Sequence, residues 1–314
     1  MSRSRVLKQI ERLDPEKDHQ QIAFLTACYE FPFDTARALE FALYRTYCSP
    51  SISAILDSTG EFQHRAQKRY DDTDLILSEI LEDGYDGERG KAALRRMNQM
   101  HGHYAISNED MLYVLSTFVF EPARWVERFG WRRPTKQEKL AAFYFWREVG
   151  RRMNIKDLPA SYEEFERYNI EYERDHFRYS DTNRRVGEAT LEMFLNWYLP
   201  RFLHPLGRPF VYALMDEPLL QAFGFPLPSK AMRRVVEGTL KLRARVLRLF
   251  PTRRTPRLRT AIKHRTYPRG YRIEELGPGH RVSLLTTLIS TLKRLRSYIA
   301  QELTPPALKR FLQQ

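Results

Sequence analysis

The sequence predicts an all-α protein, built as a single large helical domain with a basic C-terminal helical extension. Apolar residues recur at spacings of three and four positions along most of the chain, and no segment shows the sustained alternation that is typical of a strand. The length agrees, because a chain of 314 residues can bury a sizeable core. The composition, 42% hydrophobic and 29% charged, is typical of a soluble globular protein.

Helix-start signals define the elements in order along the chain. Ser49 followed by Pro50 begins a short helix. Three later helices follow a Ser or Thr that has an acidic residue three positions further on, the pattern of a capping box: Ser107 with Asp110, Thr135 with Glu138, and Ser161 with Glu164. Ser229 precedes a basic helix, and Thr304, followed by two prolines, begins a final short helix.

Glycine and proline separate these helices and indicate the domain organisation. The breakers fall at Gly60, 84–90, Pro134, Pro159, 200–209 and 226–228. We predict a helical domain over residues 1–228. Residues 229–314 would then hold the basic helix, a long surface connection rich in Pro and Gly over 251–279, and C-terminal helices packed on the same domain.

The net charge of +13 is concentrated in one segment. Between residues 231 and 270, thirteen Lys or Arg face the single acid Glu237, which gives 13 − 1 = +12 and leaves +1 for the rest of the chain. We call Arg233 to Arg269 the basic strip. It is either a solvated helix whose long side chains cover the edge of the core, or a contact for an anionic membrane surface, where each basic residue contributes about 1 kcal/mol. Nucleic acid is not expected, because no zinc-finger, RRM or helix-turn-helix signature accompanies the charge.

Cysteine content and hydropathy indicate the cellular compartment. The two cysteines, Cys28 and Cys48, are too few for a disulfide framework and too isolated for a zinc cluster. No run approaches 18 uninterrupted apolar residues, so a membrane span is not expected. The predicted location is the cytoplasm, with peripheral membrane association through the basic strip left open.

Two Glu-x-x-His sequences raise a di-iron carboxylate centre as one alternative. Glu61 with His64 and Glu173 with His176 have the spacing that ferritin-like di-iron bundles use. Chance produces such matches at a comparable rate, and the first one begins directly after Gly60, at a helix start rather than in the middle of a bundle helix. No Gly-x-Gly-x-x-Gly, Walker A, Gly-x-Ser-x-Gly or His-Glu-x-x-His sequence is present, so these better-known chemistries are not indicated.

Two polar clusters on consecutive predicted helices are stronger candidates for a site. Arg69 and Thr73 are four residues apart and therefore share one helical face. On the next helix, His101 follows Met97 by four residues and Leu94 by seven, so its imidazole lies on an apolar face. An imidazole opposed by Arg and Thr could bind a haem iron and hold a ligand on the open side of the iron. Taken singly, each residue also fits a plain packing role.

The order and spacing of these landmarks resemble the MpaB-type oxygenase family, which includes latex-clearing protein, the rubber oxygenase. The resemblance runs from residue 51 to residue 192, about half of the chain. Its landmarks are residues 57–62, Arg69 with Thr73, Arg95 and Arg96 ahead of His101 and Gly102, and residues 111–117, 157–165 and 179–183.

The resemblance implies a helical fold around a b-type haem, with O2 as the co-substrate and an electron donor that the sequence does not specify. His101 would be the proximal iron ligand, Arg69 and Thr73 would line the distal side as catalytic residues, and Arg96 would contact a propionate or a nearby carboxylate. The better-known members cleave double bonds in isoprenoid chains, so a lipophilic substrate, isoprenoid or unsaturated, is expected. Nearby apolar residues would either line a substrate channel or pack in the core: Ile76, Leu77, Ile80, Met100, Phe118 and Phe120.

Two departures from the family pattern limit what the resemblance implies. Latex-clearing proteins carry a lysine immediately before the matching threonine, and this chain has Asp72 there. The glutamate that some rubber-cleaving members place on the preceding helix has no counterpart in residues 51–54. Polyisoprene cleavage is therefore not carried over. The alternatives that stay open are a non-haem di-iron oxidoreductase and a helical sensor or interaction protein, with or without haem, that lacks oxygenase activity.

Overall fold

The protein is represented by a computed structural model, which describes residues 5–278. Within this range the regular structure is helical and no β-strand occurs, so the all-α prediction is confirmed. None of these helices is long and apolar enough to cross a membrane. The helices are α1 (Arg5–Ile10), α2 (His19–Phe24), a π-helical segment (Leu25–Glu30), α3 (Pro32–Thr46), α4 (Pro50–Ser58), α5 (Glu61–Glu82), α6 (Glu88–His101), α7 (Asn108–Phe129), α8 (Lys136–Arg152), α9 (Tyr162–His176), α10 (Asp181–Asn196), a 3-10 turn (Arg201–Leu203), α11 (His204–Tyr212), α12 (Glu217–Phe223), α13 (Lys230–Leu247) and a second 3-10 turn (Ile273–Glu275).

The predicted helix starts that the structure describes are confirmed. The residue before each helix accepts a hydrogen bond from the backbone N–H three positions later, which satisfies a donor that has no partner inside the helix. These residues are Ser107, Thr135, Ser161 and Ser229. Thr135 and Glu138 complete both halves of a capping box, and α4 begins at Pro50. The helix predicted after Thr304 lies outside the described residues.

The core lies between long helices that pack in pairs. Helix α3 packs along α7, α5 along α6, α7 against α8, and α10 against both α4 and α5. The largest apolar cluster joins α5, α6, α7 and α8, and a second cluster joins α3, α10 and α12. Helix α5 contributes to the first cluster and also contacts α10, which contributes to the second cluster.

Helix α5 has an unusual start and an internal kink. It begins after Gly60, which adopts a left-handed conformation (φ +67°) that glycine takes without the steric cost of a Cβ atom. Arg65 departs from helical geometry (φ −142°, ψ 40°), so the helix is kinked four residues before Arg69. The regular part that follows carries the polar cluster predicted from the sequence.

The segment after α13 corrects one sequence-based expectation. It is irregular, as predicted, but it is not only a surface connection. His264, Ile273 and Leu276 are buried, and the last two belong to the largest apolar cluster. The 3-10 turn at Ile273–Glu275 packs against α6. Isolated apolar residues in a segment rich in Pro and Gly form no periodic pattern, so the sequence could not reveal this packing.

Candidate functional site

Arg69 and Thr73 meet on one face of α5, as their spacing predicts. A guanidinium nitrogen of Arg69 donates to Thr73 Oγ1, and the Thr73 hydroxyl donates to the carbonyl oxygen of Arg69 at 3.0 Å. Both residues line a crevice between α3, α5 and α10 whose apolar walls include Phe62 and Phe194. The guanidinium also lies over the Phe62 ring, 5.8 Å from its centroid.

His101 is the last residue of α6, and its side chain is mostly buried. Nδ1 is buried and has no hydrogen-bond partner within residues 5–278. Burial, and secondly the charge of Arg69, lower the pKa of His101 to about 4. The imidazole is therefore neutral at physiological pH, which is the form that binds a metal.

A buried nitrogen without a hydrogen-bond partner destabilises the folded state, and a bound group could remove this destabilisation. Leaving such an atom without a partner costs about 1–3 kcal/mol. The effect of Arg69 on the pKa of His101 requires the two side chains to lie near each other. The neutral imidazole thus lies near the guanidinium that donates to Thr73, and a neutral imidazole nitrogen without a partner has the chemistry of a ligand to haem iron. That assignment belongs to the proposal below.

Arg96 is turned toward the C-terminal segment. Its Nε donates to the carbonyl oxygen of Leu276 at 2.8 Å, and its Nη1 donates to Gln99 Oε1 at 3.0 Å. These contacts fasten the segment to α6 one turn before His101. Contact of Arg96 with a propionate or a carboxylate stays a prediction.

Asp72 occupies the position at which latex-clearing proteins carry a lysine, and its side chain binds Lys68 and Tyr267. Its carboxylate accepts from Lys68 Nζ at 2.7 Å and from the Tyr267 hydroxyl at 2.5 Å. Burial raises the pKa of Asp72, and the hydrogen bonds from Lys68 and Tyr267 oppose the rise. Lys68 also donates to the carbonyl oxygen of Gly277 at 2.7 Å.

Gly277 brings the C-terminal segment directly against the residue before His101. It has a φ of +97°, and a Cβ atom there would lie 2.0 Å from the sulfur of Met100. Only glycine adopts this conformation readily and allows this approach. No sequence signal predicted that the segment reaches the site, because its contacts with α5 and α6 span about two hundred positions.

Glu40 and Tyr70 are polar neighbours of the site to which the sequence analysis assigned no role. Both line the same crevice as Arg69 and Thr73. The Tyr70 hydroxyl donates to Glu40 Oε1 at 2.6 Å, and Arg37 Nη2 donates to the same oxygen at 2.5 Å. Burial raises the pKa of Glu40 to about 7, although Arg37 and Tyr70 oppose the rise. Tyr70 lies beside Arg69 in the sequence, but Glu40 is thirty positions away on α3 and carries no motif.

The two Glu-x-x-His sequences do not assemble a metal cluster in the part of the chain that the structure describes. Glu173 accepts from Arg45 Nε at 2.8 Å, and Glu61 pairs with Arg65. Across residues 5–278 no group of three or more His, Cys, Asp or Glu side chains could hold a metal ion. A di-iron centre needs several such ligands together, so this alternative gains no support.

Five of the six apolar residues considered as a channel lining are core residues. They are Ile76, Leu77, Ile80, Phe118 and Phe120, all buried in the largest apolar cluster. Met100 packs against the same cluster and is partly buried. Of the two interpretations, the structure therefore favours core packing.

The fold and the site define a class of protein: an all-helical body with a neutral, buried imidazole beside an Arg–Thr pair and a crevice with apolar walls. The chain belongs to the family described as ER-bound oxygenase mpaB/B'/rubber oxygenase, catalytic domain, whose sequence profile matches residues 38–249. The resemblance seen in the sequence is confirmed. The matched region includes α5 and α6 and extends to the end of α13.

Three fungal relatives are similar to this chain. The ER-bound oxygenase mpaB' of Penicillium brevicompactum is 32% identical over 243 residues, which are 71% of this chain and 57% of that protein. The ER-bound oxygenase mpaB of Penicillium roqueforti (strain FM164) is 31% identical over 220 residues, 64% of this chain and 74% of the relative. The mpaB of Penicillium brevicompactum is 30% identical over 185 residues, 53% and 47% of the two chains. The chain thus spans little more than half of the first relative.

Proposed function

We propose that this protein is an oxygenase that holds a b-type haem through His101 and uses O2 on a lipophilic substrate. Membership of a family of oxygenases supports the reaction class. The observation that carries the haem proposal is the buried, neutral imidazole of His101 whose Nδ1 has no protein partner within the described residues. An imidazole that binds iron must be neutral, and a pKa of about 4 would keep the His101 ring in that form at physiological pH.

When bound, the haem supplies the redox chemistry with O2. The protein's own contribution is electrostatic and positional. Arg69 carries a charge that is permanent in proteins, and its bond with Thr73 fixes the direction of the guanidinium. A charged donor forms stronger hydrogen bonds than a neutral one and would stabilise negative charge that develops on the oxygen co-substrate. Thr73 would offer a second, weaker donor.

The crevice beside Arg69 has a volume of only about 10 Å³, so support for a lipophilic substrate comes from the residues that line it. Leu43, Phe62, Met193 and Phe194 line it alongside Arg69 and Thr73. Apolar walls favour apolar ligands and leave orientation to a few polar groups. Polyisoprene cleavage is not part of the proposal, because Asp72 replaces the family's lysine and is held by Lys68 and Tyr267.

Membrane association is the proposed setting for this chemistry. The three fungal relatives are named ER-bound, which supports a membrane-associated oxygenase here. For this chain we keep a cytoplasmic location with peripheral attachment through the basic strip.

Haem titration followed by absorption spectroscopy tests the proposal. The full chain is purified, titrated with ferric haem and assayed for the Soret band and for bound haem per chain. Wild-type protein should bind haem stoichiometrically, and His101→Ala should not. His103→Ala is the matched control, because His103 lies two residues further on, is exposed and should not affect haem binding.

Loss of haem in the His101 variant must be separated from loss of the fold. The circular dichroism spectrum of apo His101→Ala should equal that of the apo wild type, since Nδ1 has no hydrogen-bond partner within residues 5–278. Stoichiometric haem in His101→Ala, or a wild type that binds none, would overturn the proposal. Two non-haem irons per chain would favour the di-iron alternative, and haem binding without substrate-dependent O2 consumption would favour a sensor.

A further inference from the structure

Helix α13 leaves an apolar stripe exposed on the side opposite its packed face. The stripe comprises Val235, Leu242, Val246 and, just after the helix, Leu249. Their spacings of seven, four and three place them on one helical face. Leu249 exposes 83% of its surface. Ala244 is buried, and Leu240 packs against Trp125 and Phe129, so the helix is anchored by its other side.

A second exposed stripe begins before α11 and runs along it. Its members are Tyr198, Phe202, Leu206 and Phe210, each four residues after the last. Phe202 exposes 79% of its surface. The packed side of α11 holds the buried His204 and Gly207, and a Cβ atom on Gly207 would lie 2.6 Å from Leu199. Helix α11 packs on α13, so the two stripes lie on neighbouring helices; we call these two exposed stripes the α11–α13 surface.

Exposed apolar side chains scattered singly are ordinary, but these are not scattered. The α13 stripe has helical spacing, and Leu206 with Phe210 forms a similar exposed face on α11. Such a face is the pattern of an amphipathic interfacial helix. Large contiguous apolar areas on soluble proteins mark surfaces that bind a partner or a membrane.

The charges on α13 and just beyond it are almost all positive. Arg234, Lys241 and Arg245 are exposed on α13, and Arg253 and Arg254 are exposed just beyond it. Glu237 is the single acid on the helix, and it pairs with Arg128 and Lys241.

The structure divides the basic strip into two kinds of residue. Arg243 pairs with Asp34 at 3.1 Å, and Arg259 pairs with Asp74; both are structural. Arg234 and Arg245 have no ion pair within residues 5–278 and remain available to an anionic partner. The structural interpretation of the strip therefore holds for Arg243 and Arg259, and the membrane contact stays a prediction for the unpaired residues.

We propose that the α11–α13 surface docks on an anionic lipid bilayer. Its apolar side chains would enter the boundary between headgroups and acyl chains, while the arginines contact lipid phosphates. A bilayer fits better than nucleic acid, because a phosphate backbone could contact the arginines but could not bury the apolar side chains. It fits better than a protein partner, because apolar side chains flanked by charge of one sign match the layered chemistry of an anionic membrane surface.

Docking of this kind would bring the bilayer near the crevice beside Arg69, a consequence that rests on the proposed function. Tyr198 follows Trp197, whose ring lies 4.8 Å from that of Tyr70 between centroids. Tyr70 lines the crevice together with Phe194. A substrate that leaves the membrane beside Tyr198 would have a short route to the site.

Vesicle co-sedimentation of the full chain tests the docking. The vesicles are phosphatidylcholine alone, or phosphatidylcholine with phosphatidylserine as about a third of the lipid. The charge variant is Arg234→Gln with Arg245→Gln, and the apolar variant is Phe202→Ser with Leu206→Ser. Exposed substitutions of this kind change the free energy of unfolding by about 0.5 kcal/mol or less, so both variants should fold.

The matched controls carry the same kinds of change elsewhere. Lys91→Gln with Arg95→Gln removes two exposed charges from α6, and Ile170→Ser removes an exposed apolar side chain from α9.

Wild-type protein should partition onto the anionic vesicles and much less onto the neutral ones. The charge variant should lose about 30-fold in partitioning, since each arginine near the membrane contributes about fivefold. The apolar variant should lose at least about tenfold, and the controls should behave as wild type.

Three results would overturn the proposal. One is unchanged binding of the apolar variant. Another is a wild-type dimer that Phe202→Ser with Leu206→Ser converts to monomer, which would assign the surface to a second copy of the chain. The third is tighter binding to random duplex DNA that depends on Arg234 and Arg245 alone. The assay involves neither haem nor substrate, so its failure is distinguishable from failure of the proposed function.

Discussion

Lys68 Nζ lies 2.7 Å from a carboxylate oxygen of Asp72, one turn further along α5. The same ammonium donates to the carbonyl oxygen of Gly277 and, at 2.9 Å, to the hydroxyl of Tyr267, which in turn donates to Asp72. Position 72 is where latex-clearing proteins carry a lysine. This chain uses the position to fasten its own C-terminal segment to α5, beside the helix face that carries Arg69 and Thr73.

Breaking this pair from one side should destabilise the protein. Asp72→Asn leaves the ammonium of Lys68 without its counter-charge in a mostly buried position. Removing one partner of a buried pair costs about 3–5 kcal/mol. We expect a smaller loss here, because Lys68 keeps about a fifth of its side chain exposed and burial already favours the protonated form of Asp72. Urea unfolding measures the change.

A double variant distinguishes the effect of an unpaired charge from the effect of lost packing. Lys68→Met with Asp72→Leu removes both charges and should recover part of the lost stability, because an apolar pair needs no compensation for burial. If Asp72→Asn unfolds at the same urea concentration as wild type, the pair does not hold the segment.

Glu40 should make the stability of the protein depend on pH. The pKa of its carboxyl rises from 4.5 to about 7 in the folded state because of burial. The folded form therefore favours the protonated acid, so this contribution to stability is fully present below about pH 4.5 and is lost as the pH rises through about 7. The loss amounts to about 3 kcal/mol at higher pH. Glu40→Gln keeps an acceptor for Tyr70 and cannot titrate.

Urea unfolding of wild type and Glu40→Gln at about pH 5 and about pH 8 measures this contribution. The variant should gain stability relative to wild type by about 3 kcal/mol between the two conditions. Tyr70→Phe should strengthen the wild-type trend, because the Tyr70 hydrogen bond lowers the pKa of Glu40. Parallel pH profiles for wild type and Glu40→Gln would show that the carboxyl does not titrate in this range.

Both thiols should be inert in the folded protein. Burial, and secondly the charge of Glu82, raise the pKa of Cys28 to about 12. Burial also raises the pKa of Cys48 well above its usual value. Since the thiolate is the nucleophile, Ellman's reagent should modify neither residue until the protein is unfolded. Rapid release of the coloured thiolate from native protein would contradict the buried positions.

The sequence predicts those features that depend on local pattern. Spacing placed Arg69 and Thr73 on one face, and the Ser and Thr caps marked where α7, α8, α9 and α13 begin. The parts that the sequence could not predict depend on long-range contacts. Glu40 reaches Tyr70 from another helix, and the segment that ends at Gly277 returns to α5 from about two hundred positions away. Such contacts form when distant segments pack into the core, and they leave no periodic pattern in the sequence.

The charge of Arg69 should be measurable at His101 without any cofactor. A positive charge nearby disfavours the imidazolium form, and together with burial it lowers the pKa of His101 to about 4. Arg69→Gln removes that charge, so the pKa of His101 should rise, while burial keeps it below its usual 6.5. NMR titration of the imidazole C–H resonances in the apo protein measures the shift, and Arg96→Gln is the control, because Arg96 is not among the causes of the shift.

The same substitution should separate haem binding from turnover in the loaded protein. Arg69→Gln leaves His101 in place and should retain haem. It should lose about 10²- to 10³-fold in turnover, the usual effect of removing one preorganised donor from a site where charge develops. Thr73→Val should lose less turnover than Arg69→Gln. The Thr73 hydroxyl is neutral, and it already donates its hydrogen to the Arg69 carbonyl oxygen. If the pKa of His101 is unmoved in Arg69→Gln, the guanidinium does not lie near the imidazole, and the proposed role of Arg69 beside a group held by His101 fails.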